Sequence, residues 1–148
     1  MKPVVMVARS LMLVLFAAGL SPSASAAESY SIEVLVISAQ PSPGGVDSRL
    51  RGFASGLKSM PYKSFRLLDS HRKSLSRGET VTMQFPGRNR FMKVRADGSR
   101  GGKLAFTISI DALHFRTRVK IPSNGSLIVG GPKYHKGVIL LAVTARPR

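Results

Sequence analysis

The chain has 148 residues, 23 Lys+Arg against 7 Asp+Glu, a net charge of +16 and no cysteine. The absence of cysteine excludes a disulfide framework and thiolate metal sites, so the fold must stand on packing alone. A charge this positive favours anionic partners: an anionic envelope polymer, an acidic lipid surface, an acidic protein subunit or nucleic acid.

Residues 1–26 read as an export signal. Lys2 and Arg9 flank a short positive segment, and the apolar run Leu11–Leu20 follows. Ser21-Pro22-Ser23 breaks that run, and Ala24-Ser25-Ala26 is a small-x-small cleavage site. The run is shorter than the roughly 20 residues needed to span a bilayer. Cleavage after Ala26 predicts a single β-rich domain over 27–148, exported to the periplasm or the extracellular space. Of the basic residues only Lys2 and Arg9 lie in 1–26, and none of the acids does, which leaves the domain at +14.

Ser29–Ala39 alternates with both parities largely apolar, which predicts a strand covered on both faces. Gln40–Gly45 is a loop by its Pro and Gly content. Asp47 is placed as a helix N-cap. Leu50, Phe53, Ala54, Leu57 and Met60 then fall on one helical face, so a helix of about three turns is expected before Pro61. Tyr62–Asp69 reads as a strand, and His71–Ser76 as a short polar strand or turn. Glu79–Phe85 and Arg90–Ala96 read as strands joined by the hairpin turn Pro86–Asn89. Asp97–Gly102 reads as a second hairpin loop, leading into a strand over Lys103–Ile110.

Asp111–Ala145 predicts three further strands. The strand Ser126–Val129 is expected to stop at Gly130-Gly131-Pro132. The last strand, Val138–Thr144, is apolar on both parities and so should be covered on both faces. The expected fold is mainly β (α+β): a sandwich or open barrel of about eight strands, with one short helix after the first strand of the domain.

Enzyme chemistry finds little to build on. Gly98–Lys103 has only three residues between Gly98 and the Gly102-Lys103 pair, and Leu104 follows, so it fails the phosphate-loop pattern. His71, His114 and His135 have no second ligand at metal spacing. No Gly-x-Ser-x-Gly elbow is present. His114 is placed within a strand beside Phe115. No cofactor and no metal is expected, and the chain reads as non-enzymatic. A small hydrolase is the third alternative.

Basic residues interleave with aromatics instead. Arg116, Arg118 and Lys120 share one strand face by parity, and Arg88, Arg90 and Lys93 surround Phe91. These six residues are the candidate anion-binding set. Phe91 and Phe115 read as core residues rather than stacking platforms. The bland alternative is a cationic edge strand protected against aggregation. The leading functional reading is an exported domain that binds or assembles in the envelope. The alternative is a binder of nucleic acid or another anionic polymer through the basic face.

Thr117–Gly131 followed by Gly137–Ala145, a strand, a Gly-Gly pair and an apolar strand, resembles the hairpins of secretin-type envelope proteins. The lip segment of that family is replaced here by Pro132-Lys-Tyr-His-Lys. The resemblance implies an envelope accessory domain rather than a channel.

Overall fold

The fold was analysed in a computed structural model that describes residues 28–148; the expected export signal over 1–26 lies outside them. The strands are β1 (Ser29–Gln40), β2 (Gly45–Val46), β3 (Ser64–Ser76), β4 (Thr80–Gln84), β5 (Phe91–Arg100), β6 (Lys103–Ile110), β7 (Phe115–Pro122), β8 (Gly125–Tyr134) and β9 (Gly137–Pro147). They form a five-stranded sheet in the order β2-β3-β1-β9-β8 and a four-stranded sheet in the order β4-β5-β6-β7. Apart from the parallel two-residue β2, every pairing is antiparallel.

Tight turns join β3 to β4 and β7 to β8 at the two places where the sheets meet without a ladder. From β3 through β9 the chain therefore runs round a flattened, split barrel in sequence order, and β1 completes the circuit between β9 and β3. Across the β3–β4 seam, His71 Nε2 lies 2.8 Å from the carbonyl oxygen of Gln84. A carbonyl only accepts, so Nε2 carries the proton.

Alternation explains how one five-stranded sheet buries both faces. Tyr30, Ile32, Val34 and Val36 of β1, with Ile139, Leu141 and Val143 of β9, pack inside the barrel. They meet Met92, Val94, Leu104, Phe106 and Ile108 of the opposite sheet. Leu35, Ile37 and Ala39, with Leu140 and Ala142, face outward and are covered by Leu50, Leu57 and Phe53. The expected two-sided cover of the first and last strands is thus present, as is the sandwich-like β fold.

The helix differs from its expected form. A 3₁₀ turn over Ser48–Phe53 leads into α1 (Ala54–Lys58), with a non-helical Leu50 inside the turn. Gly52 and Gly56 weaken a continuous helix by roughly 1 kcal/mol each. Asp47 is the expected cap: its carboxylate accepts from Arg49 N at 3.0 Å, and also from Leu67 N at 3.2 Å on β3.

Several boundaries also move. The expected strand Tyr62–Asp69 begins only at Ser64 and runs on through His71–Ser76 as one strand, because a bulge at Leu68 shifts register between Val36 and Ile37 and keeps the ladder intact. Asp97–Arg100 belongs to β5 rather than to a loop, again through a bulge, and only Gly101-Gly102 makes the turn. Gly130–Pro132 bends β8 without ending it, since Pro132 lies in an edge-strand bulge where no ladder donor is needed. His114 is not within a strand; it caps the 3₁₀ turn Asp111–Leu113 in the left-handed region, at φ 50°.

Candidate anion-binding face

The outer surface of the four-stranded sheet carries an ordered array of cations. Strand pairing sets the array in rows. Lys93, Ser109 and Arg116 lie across from one another in one row, and Arg95, Thr107 and Arg118 in the next. Gly98, Ala105 and Lys120 follow, then Arg100 and Lys103. The middle strand, β6, therefore contributes Ser109, Thr107 and Ala105 to this face, while β5 and β7 contribute long cations. Small residues flanked by long ones make a trough along β6. Its walls stand about two strand spacings apart, roughly 10 Å.

Two adjoining hollows mark the trough. One, of about 420 Å³, is bounded by Arg95, Asp97, Thr107, Arg116, Thr117 and Arg118. The other, of about 480 Å³, shares Asp97 and Arg118 and continues to Arg100, Lys103 and Lys120. Arg77, from the β3–β4 turn, closes over Gly98, where a Cβ would come within 3.0 Å of its Nε. Gly98 also has φ 121°, a backbone shape that other residues rarely adopt.

Asp97 sits at the centre of this positive surface, and its side chain is only 11% exposed. Its Oδ1 accepts from Arg95 Nε at 2.8 Å and its Oδ2 from the Thr107 hydroxyl at 2.6 Å. Arg118 Nε lies 3.5 Å from the same Oδ2. Burial acts most strongly on Asp97 and would raise its pKa. The bonds from Thr107 and Arg95, with the charges of Arg95 and Arg118, together outweigh burial and hold the carboxyl below its ordinary value.

Of the candidate anion-binding residues, Arg116, Arg118, Lys120 and Lys93 share this face. Lys93 also pairs with Asp111 at 3.1 Å. Arg88 and Arg90 do not join the rows. They lie in the β4–β5 turn, where Arg90 folds over Gly87. Phe115 packs against the barrel interior as expected, but Phe91 does not: it is 52% exposed, one row beyond Lys93. Parity sets Phe91, Lys93 and Arg95 on one face, and that is the signal for an exposed aromatic. Asp97, Thr107, Arg100 and Lys103 escape the sequence reading as site residues. Alternation from Phe91, Lys93 and Arg95 already sets Asp97 on the outer face; the bulge there, invisible to parity, brings Gly98 and Arg100 onto that face as well.

His71 is the described histidine in contact with a carboxylate, at 3.1 Å from Asp69 Oδ2. The same Nε2 faces the Gln84 carbonyl oxygen across the seam, so His71 and Asp69 form a structural bridge. Among the described residues no group of three or more His, Asp and Glu is placed to hold a metal ion, and no helix is long and apolar enough to cross a membrane.

Comparison of the chain with protein-family models, with curated proteins and with solved structures finds no match.

Proposed function

We propose that this chain is an exported, non-enzymatic domain that binds an anionic polymer of the cell envelope along the trough over β6. The carrying observation is the position of Lys93 and Arg95. They stand on β5, an inner strand of the four-stranded sheet. Edge protection accounts for cations on β7, which is an edge strand, but not for cations on β5, which is paired on both sides. A row-by-row lattice of cations flanking small hydroxyl and methyl groups suits an extended, repeating anion. Export supplies the compartment, and the resemblance to secretin-type hairpins is in keeping with an envelope role.

A second reading, single-stranded nucleic acid, is favoured by one observation: Phe91 lies exposed at the end of the trough, where a base can stack. The test is titration of labelled anionic polymers at two salt concentrations. Affinity should fall steeply with salt. The triple change of Arg116, Arg118 and Lys120 to Gln should flatten the slope by about one unit for each anionic group no longer neutralised, with little effect on folding. Unchanged affinity and slope, with greater light scattering, would leave these cations as edge protection. Loss of binding in Phe91→Ala for single-stranded DNA alone would favour the nucleic-acid reading.

A further inference from the structure

We propose that Arg95, Arg116 and Arg118 form a discrete subsite for consecutive phosphates of a phosphate chain within the trough, and that Asp97 is the positioning residue that builds it. This rests on the polyanion reading above and names the repeating group of the polymer.

A surface selected for positive charge alone gains nothing from a carboxylate at its centre. Yet one of the chain's 7 acids stands there, nearly buried, and makes contact with three side chains. Asp97 meets both arginines at Nε. A guanidinium held by Nε keeps its outer Nη edge free, and that edge is the fork that grips an oxyanion by two parallel bonds. For Arg118 both Nη groups remain available, and the side chain is 64% exposed. Arg95 is braced further by Nη2 contacting Thr107 Oγ1 at 3.4 Å. Asp97 thus costs the face one charge and orders two forks around a single hollow.

The charge of that hollow points to the ligand. Three guanidinium groups and one carboxylate sum to +2. A phosphate inside a phosphate chain carries one negative charge on two unesterified oxygens, so two consecutive phosphates match the charge of the hollow and bring their acceptor oxygens close together within it. A carboxylate offers a single negative charge and two oxygens, which one fork satisfies.

The test compares polyphosphate with polyglutamate of matched charge, both end-labelled, by fluorescence anisotropy at one ionic strength. The protein should prefer polyphosphate by about tenfold. Asp97→Asn raises the net charge by one, so a purely electrostatic face predicts tighter binding to both polymers. The subsite predicts the reverse for polyphosphate: about tenfold weaker binding, with polyglutamate unchanged or slightly tighter. Arg118→Lys keeps the charge and removes the fork, and it too should abolish the preference. Because Arg118 is exposed, that variant carries the test if Asp97→Asn fails to fold. Equal affinity of the unaltered protein for the two polymers, tighter polyphosphate binding by Asp97→Asn, or a preference retained by Arg118→Lys would each overturn the subsite and leave polyanion binding standing. Failure of the unaltered protein to bind either polymer would overturn both.

Discussion

Leu140 and Leu141 are neighbours on β9 that enter different cores, so truncating each measures a different layer. Both are buried, at 3% and 0% exposure. Leu→Ala removes three carbon atoms, about 2.4 kcal/mol of transfer free energy at roughly 0.8 kcal/mol per methylene. What remains is the cavity, which depends on whether the surroundings can settle. Leu141 lies inside the barrel, between two hydrogen-bonded sheets that tight turns tie together at both seams. Its cavity should persist, bringing the total to about 4 kcal/mol. Leu140 lies beneath the 3₁₀ turn and α1, a short cover anchored chiefly by Leu50 and Leu57. That cover can move inward, so the loss should stay near 2–3 kcal/mol. A domain of this size has only about 5–15 kcal/mol in total. Each kcal/mol should shift the melting midpoint by roughly 4 °C. Thermal melts followed by circular dichroism should therefore show drops of roughly 8–12 °C for Leu140→Ala and about 16 °C for Leu141→Ala. An unchanged midpoint for Leu140→Ala would mean that the helical segment does not cover the sheet. A larger loss at Leu140 than at Leu141 would refute the argument that the barrel interior is the stiffer layer.

Gly137 opens β9 against the end of β1, and a Cβ there would overlap the Ala39 carbonyl oxygen. Gly137→Ala should destabilise by roughly 2 kcal/mol or more, whereas Gly130→Ala, which meets nothing within 4 Å, should not; paired urea melts check the contrast. Acid should also unfold the protein in a defined direction. The bond from Tyr30 to Glu28, that from Arg49 to Asp47, and the groups around Asp97 all leave these carboxyls below their ordinary values. A carboxyl whose folded pKa is depressed contributes stability above its unfolded value, and that contribution is lost as pH falls through the folded one. The ordinary values are 4.5 for Glu and 3.8 for Asp. The melting midpoint should hold above about pH 5 and fall progressively below about pH 4. Asp47→Asn should begin lower and fall less steeply, and a midpoint flat down to pH 2 would remove these carboxylates from the account.

The elements that alternate cleanly were legible without any tertiary structure. Ser29–Ala39, Lys103–Ile110 and Val138–Thr144 are strands because period-two apolar runs can bury only as strands in a sheet, and runs apolar on both parities need two covers. Asp47 was legible as a cap because its short side chain reaches the first free amides of the helical turn. The cations of β7 were legible as one stripe for the same reason of parity. What tertiary structure alone decided came from three bulges and from strand order. The bulges at Leu68, Asp97 and Gly130–Lys133 each shift register, and a shift by one residue reverses which side faces the core, so local pattern misread Asp97 as a loop and Pro132 as a strand end. Strand order placed β5 and β7 on either side of β6. Cations far apart in sequence, Arg95 and Arg118 among them, thereby became walls of one trough. Arg88 and Arg90, only five and three residues before Lys93, were left in a turn outside it. Pairing between distant strands is set by how two apolar faces meet, and no window of sequence contains that information.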